Sequence, residues 1–428
     1  MQQIGEVDVQ DMIAFAAQPY HRGGVTRWMV DAAVEWARRG ERVWFVCPSP
    51  AHEFHNAGPQ PRLNTLLDRA DPHHRIQRVS PSVGSAYEWG TEQYRASVML
   101  RALRHAIPPT ATVILSDDPA IWRVGRAAAG AYRVIGVLHA DDEHYYHLAA
   151  RDGHALAAVV CVSSRIAKNA SERLGWPPER LHRIPCGITL SPRPVRSPQC
   201  VVPRLIWVGR VDQRQKRVLD LPRILMAISE LGIEATLDVV GDGPDRALLE
   251  DHVKSSRLGD SVRWHGWSSS EAIQRLLEAA DVLLLPSNFE GMPIAVMEAL
   301  AAGCGVVASQ VSGLEDYVGH PLGSLCYRTH APGDIPSAAR CVADLLQVPA
   351  VERARSARYF AEAEFSIERC VDRYAQIPLA APQAEPEGAA RLAGARLMGV
   401  ASLPIATFRR ARHWLRTVGS HSREQCLE

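Results

Sequence analysis

The chain has 428 residues, of which 48 are Lys or Arg and 47 are Asp or Glu, for a formal charge of +1. So even a balance excludes a chain built mainly for electrostatic capture of nucleic acid. With 46% hydrophobic residues it is not disordered, collagenous or a disulfide scaffold, and its length exceeds what one core usually serves, so two domains are expected.

The first element is Met12-Ile-Ala-Phe-Ala-Ala17, an apolar run of strand length preceded by a polar, acidic segment, Met1 to Asp11. That segment lacks the basic region and apolar core of a secretory signal. A loop ending in Gly23-Gly24 leads into Val25–Arg39, whose apolar residues Val25, Trp28, Met29, Ala32 and Ala33 recur at helical spacing. Arg42–Cys47 reads as the next buried strand. A strand–helix–strand unit of this kind implies a parallel sheet. Thr112–Ser116, Tyr132–Leu138 and Ala157–Val162 continue the alternation.

A second series follows: Arg204–Val208, Ala235–Val240, Val262–His265, Asp281–Leu285 and Gly305–Ser309. Between the two series, Ser191–Gln199 carries three prolines and suits an exposed connector. The expected fold is therefore α/β, with two doubly wound Rossmann-like domains facing across a cleft. Residues 1–188 form the first, 189–378 the second, with 350–378 helical. Residues 379–428 form a basic tail, either loose or laid on an anionic membrane surface. No apolar run reaches the roughly 18–20 residues that span a bilayer. The nine cysteines include no CxxC pair, which fits a reducing compartment and offers no zinc spacing. The expected location is the cytoplasm, or its membrane face if the tail binds there.

The most informative segment is Ser287-Asn-Phe-Glu-Gly-Met-Pro293, with Glu298 eight residues after Glu290. It leaves a buried strand and opens a helix. The free N–H groups between Gly291 and Ile294, a span that includes Met292 and Pro293, would make an anion site there. Either glutamate alone reads as a helix-entry or solvated residue; the joint pattern does not. Gly209 ends another strand, and Arg210 and Lys216 follow it. Lys216 is one of only three lysines, beside Lys168 and Lys254. Two such cations suit a diphosphate. Gly241-Asp-Gly-Pro244 is a strand-to-helix turn that lets a nucleotide approach the backbone. His139 follows a strand end facing the expected cleft. The nearby Asp141, Asp142, Glu143, His144 and His147 read as a solvated helix face rather than a metal site.

These residues resemble the family 4 retaining glycosyltransferases, which have the GT-B fold. The resemblance rests on Gly209-Arg210 with Lys216, on Gly241-Asp-Gly-Pro244, and on the Glu290/Glu298 pair. Weaker support comes from Gly23-Gly24, His139, Val162-Ser-Ser164, Ile184-Pro-Cys-Gly187 and Ser312-Gly-Leu-Glu315. It implies an acceptor-side first domain and a donor-side second domain, whose final helix crosses back to the first. It also implies roles. Arg210 and Lys216 would bind the diphosphate, and Glu298 the ribose hydroxyls. Glu290 would contact the sugar near the reacting carbon, and His139 would line the sugar pocket. Gly23, Gly24, Gly209, Gly241, Gly291, Met292, Pro293 and Glu315 would complete the donor site.

The chain departs from the family pattern at four places. Cys186 replaces an asparagine, Gly305 a proline and Leu314 a glycine, and no glycine follows Lys216. The expected activity is transfer of a hexose from a nucleotide-sugar to a carbohydrate, lipid-linked or small-molecule hydroxyl. Anomeric configuration would be retained, with neither metal nor cofactor. Three other readings compete: an inactive sugar-nucleotide-binding scaffold, a nucleotide-sugar epimerase, and a dinucleotide-dependent oxidoreductase. The last is weakened by the missing G-x-G-x-x-G.

Overall fold

The computed structural model describes residues 12–18, 23–50, 63–84, 87, 90–191 and 202–378. The expectations for Met1–Asp11, for most of the proline-rich connector and for the tail from 379 lie outside the described residues. Fifteen strands are described, in three sheets. The first sheet takes β1 (Met12–Ala16), β2 (Arg42–Val46), β4 (Gln77–Val79), β6 (Thr112–Leu115), β7 (Arg133–Leu138), β8 (Ala158–Cys161) and β9 (Leu181–Arg183). Their order is β4-β2-β1-β6-β7-β8-β9. Two short strands, β3 (Ser49–Pro50) and β5 (Ser82–Val83), pair beside it.

The second sheet holds β10 (Arg204–Val208), β11 (Thr236–Val240), β12 (Val262–Gly266), β13 (Val282–Leu285), β14 (Gly305–Ser309) and β15 (Tyr327–His330). Its order is β12-β11-β10-β13-β14-β15. Every pairing in both sheets is parallel. Parallel strands need helical crossovers, which cover both faces. That is why the central strands are almost wholly apolar: every residue of Val282–Leu285 and of Ala158–Cys161 is buried.

The sequence suggests one helical stretch over 350–378. The structure has two helices, Ala350–Glu364 and Ile367–Ala375, broken at Phe365-Ser366. The break frees backbone groups to pair with the chain leaving the first domain. Ile188 N donates to Phe365 O, and Ile367 N donates to Ile188 O, each at 2.9 Å. Ser366 then caps the new helix. Helix Ile367–Ala375 packs on helix Gly24–Arg38 of the first domain. There Trp28 Nε1 donates to Cys370 Sγ at 3.4 Å, and Arg39 pairs with Asp372 at 2.6 Å.

Candidate active site

The carboxyl ends of the two sheets meet along one seam. The chain leaving β7 reaches His139 and Ala140, and Ala140 forms an antiparallel bridge with Gly291 of the second domain. Asp141 N donates to Glu290 O at 3.3 Å. A Cβ at Gly291 would lie 1.7 Å from the His139 carbonyl oxygen, so only glycine fits this crossing. Further along, Ser163 and Ser312 share a buried hydroxyl hydrogen bond of 2.7 Å. Arg165 Nε donates to Glu315 Oε1 at 2.6 Å, and Arg183 and the Ser164 amide both reach Asp316. The Ser163-Ser164 and Ser312–Glu315 segments, singled out separately in the sequence, are thus two sides of one contact. Glu315 engages Arg165 there.

Glu290 is buried where the chain leaves β13. Its Oε1 accepts from Lys216 Nζ at 2.7 Å and from Ser287 Oγ at 2.6 Å. Lys216 ends the short helix Gln213–Lys216, which Asp212 caps through the Gln215 amide. The missing glycine after Lys216 has a visible consequence. Arg217 itself takes the left-handed conformation, φ 48°, that closes this helix. Its guanidinium is held by Asp220 at 2.6 Å and by Asn288 Oδ1 at 3.1 Å. Asn288 also bonds the Gln215 and Arg214 carbonyls, each at 2.8 Å. The lysine turn and the glutamate loop are therefore stitched together by backbone and side chain alike.

Gly241 follows β11 with φ +128°, and a Cβ on it would fall 1.8 Å from the Gly209 carbonyl oxygen. The two glycine turns lie against each other at the strand ends. Arg210, beside them, is exposed and pairs with Asp212 at 2.7 Å. Met292 and Pro293 are buried, and Pro293 occupies the position just before helix Ile294–Ala301. From the first domain, Gly23 precedes helix Gly24–Arg38 with φ 106°. A Cβ at Gly24 would meet Ile294 Cγ1 at 2.7 Å, so the starts of these two helices touch.

His139 is 8% exposed, boxed by the edge of Trp28 at 5.2 Å and by Cys186, whose Sγ lies 3.9 Å from Nδ1. The departure from asparagine at Cys186 thus falls beside His139. Glu298, one and a half turns into its helix, is half-buried rather than on a solvated face. Burial pushes its carboxyl up to about 7, with Asp31 adding to the rise and Arg27 opposing it. Ser287 opens the segment singled out in the sequence, whereas Arg27, Asp31 and Asn288 were given no role there. An Arg-x-x-x-Asp spacing on the first helix is the one signal that could have found Arg27 and Asp31.

Among the described residues, no group of three or more metal-binding side chains comes together, and no helix is long and apolar enough to cross a membrane. Asp141 instead accepts from Tyr146 and Asn169, while Asp142 caps helix Glu143–Asp152.

Two Rossmann-like domains joined this way, with strand ends facing across a seam, define the GT-B class. The chain belongs to the family 4, group 1 glycosyltransferases. Residues 22–191 match the model "Glycosyltransferase Family 4" and residues 202–347 match "Glycosyl transferases group 1". The 2-deoxystreptamine glucosyltransferase of Streptomyces kanamyceticus is 30% identical over 222 residues, 51% of this chain and 56% of that protein. The chain spans about half the length of the curated relatives it matches first. Among solved structures, an S. aureus TarM variant with UDP, alpha-GlcNAc-glycerol and fondaparinux superposes with a TM-score of 0.68. It is 10% identical and covers 86% of this chain and 99% of its own. Anabaena HepE with UDP and glucose gives 0.64 at 17% identity, covering 86% and 99%. These likenesses describe the fold.

Proposed function

We propose that the protein transfers a hexose from a nucleoside-diphosphate sugar to an acceptor hydroxyl, with retention at the anomeric carbon. The observation that carries this reading is the pair of part-buried Lys216 and buried Glu290, 2.7 Å apart, drawn from positions 74 residues apart in the chain. An ammonium held beside a carboxylate at two strand ends is a group ready to exchange its partner for phosphate.

In the reaction, the bond between the sugar C1 and the diphosphate oxygen breaks, and its electron pair leaves with the phosphate. Lys216, Arg210 and the amides opening helix Ile294–Ala301 stabilise that charge. The acceptor oxygen bonds to C1 on the face the diphosphate leaves, and its proton passes to the departing phosphate. Glu290, released from Lys216, contacts the sugar near C1. Glu298 accepts from the ribose hydroxyls. Gly23, Gly24, Gly209 and Gly241 let backbone approach the phosphates, and His139 lines the sugar side. These cations take the part a divalent metal plays elsewhere, so turnover proceeds in excess chelator. Both solved relatives named above hold UDP, which makes UDP the first donor base to try.

A thermal-shift screen against UDP, GDP, ADP, dTDP and CDP, without metal, tests the reading. One nucleotide should raise the melting temperature of the wild type and not of Lys216→Ala. No shift with any of the five, in a folded sample, would overturn it.

A further inference from the structure

A small polar cavity of about 70 Å³ lies at the domain boundary. Arg27 reaches it from the first domain, Thr189 from the connecting chain, and Ser270, Glu278, Glu298 and Arg358 from the second. Arg27 is tied on both sides. Its Nε bonds both Asp31 oxygens at 2.9 and 3.0 Å, and its Nη1 donates to Ser270 Oγ at 3.1 Å. Asp31 in turn accepts from the Thr189 amide at 3.4 Å. We infer that Arg27 is a positioning residue of the donor site: it supplies, across the domain boundary, the positive charge that readies Glu298 to accept hydrogen bonds.

The inference rests on the proposal that Glu298 receives the ribose hydroxyls. A carboxyl accepts two hydroxyl donors well only when ionised. Burial opposes ionisation here, Asp31 opposes it too, and Arg27 favours it. The other charged groups facing the cavity are committed elsewhere. Arg358 pairs with Glu362 and donates to Ala301 O, and Glu278 accepts from Gln274. Glu271, on the same helix as Ser270, faces Arg27. Apart from Glu298, helix Ile294–Ala301 carries no charged residue. Arg27 therefore acts on Glu298 by charge and on Ser270 by contact, while Asp31 fixes its guanidinium to the first helix.

The test measures affinity for the nucleoside diphosphate selected in the screen above, from pH 6 to 9, for wild type, Arg27→Met, Arg27→Lys and Glu298→Gln. Inorganic pyrophosphate serves as a probe that lacks ribose. Arg27→Met should bind the nucleotide on the order of tenfold more weakly at pH 7, the loss of one charge-assisted hydrogen bond. It should recover towards wild type by pH 9, as Glu298 ionises unaided. Arg27→Lys should retain most of the affinity, and pyrophosphate binding should not change. If Arg27→Met weakens binding equally at every pH, or weakens pyrophosphate as well, the inference fails and the donor reading stands. If Glu298→Gln binds the nucleotide like wild type, the ribose assignment fails and takes the inference with it.

Discussion

The carbonyl oxygen of His139 lies where a side chain on Gly291 would have to begin, 1.7 Å from the ideal Cβ position. The first domain's strand end and the second domain's glutamate loop are thus in backbone contact, and no rotamer can relieve a clash there. Gly291→Ala should force the two apart while each sheet stays folded. Displacement of about 1 Å at a reacting centre costs roughly 10²-fold in rate. Circular dichroism should be unchanged and kcat/KM should drop by about that factor. Wild-type turnover would show that the seam is irrelevant to catalysis.

The pair of part-buried Lys216 and buried Glu290 makes an asymmetric prediction. Lys216→Ala leaves a buried carboxylate with only the Ser287 hydroxyl for company. Breaking such a pair from one side typically costs about 3–5 kcal/mol. Glu290→Gln keeps an acceptor for Lys216 and a partner for Ser287, so it should cost less. Denaturant melts of both variants and the double variant should show strong non-additivity. Additive losses would mean that the 2.7 Å contact carries little energy.

Arg210 is exposed and, among the described residues, its ion pair is with Asp212, so its removal should barely touch stability. In the proposed reaction its effect falls on the charged leaving group. Arg210→Ala should lower kcat on the order of 10²–10³-fold, as when one charge-stabilising donor is lost. Steady-state kinetics at saturating donor decide the point, and an unchanged kcat would remove Arg210 from the mechanism.

Glu298 predicts a pH dependence of stability. Its carboxyl titrates at about 7 when folded, against 4.5 as the ordinary value. Its folded form therefore holds the proton more tightly than the unfolded chain does. The stability it contributes is complete below pH 4.5, declines as pH rises towards 7, and is flat beyond. The total decline is at most about 3 kcal/mol. Glu298→Gln removes this decline. Thermal melts of the two proteins should nearly coincide at pH 4, with the variant the more stable at pH 8. Parallel curves across that range would contradict the burial argument.

Arg217 holds a left-handed backbone, φ 48°, at the end of the Lys216 turn. Arg217→Ala and Arg217→Gly lose the same side-chain contacts, so their difference isolates the backbone. The glycine variant should be the more stable by about 1 kcal/mol. Equal midpoints in urea would show that the turn relaxes at no cost.

The central strands were legible because helices cover both their faces, leaving continuous apolar runs such as Val282–Leu285. Of the four edge strands of the two large sheets, Val262–Gly266 was legible and the other three were not. Gln77–Val79, Leu181–Arg183 and Tyr327–His330 are short, partly exposed and polar, so nothing in their letters separates them from loops. Several expected strands ran one residue long. Ala17, Cys47 and Ser116 still hydrogen-bond to neighbouring strand carbonyls as the chain turns away.

In the site, Glu290, Glu298 and Lys216 stood out by spacing and rarity. Their tertiary company did not. Arg27 is one arginine among many, and Asn288 looks like any polar loop residue until its three partners are in view. The break at Phe365-Ser366 was likewise invisible, because its cause is a distant segment, Ile188.

That same segment has a mechanical consequence. The chain passes between the domains twice, and the two passages lie side by side, bridged at Ile188 and Ser366. Two adjacent tethers forbid free twisting and leave a single pivot line, like a door on two pins. The cavity around Glu298 borders this line, since Ile188 and Thr189 form part of its wall. A swing of the domains would scarcely change its shape, whereas parts of the seam farther from the line would travel most. On the proposed donor role of Glu298, such a geometry would let the pivot end keep its grip on the donor while the far end admits the acceptor.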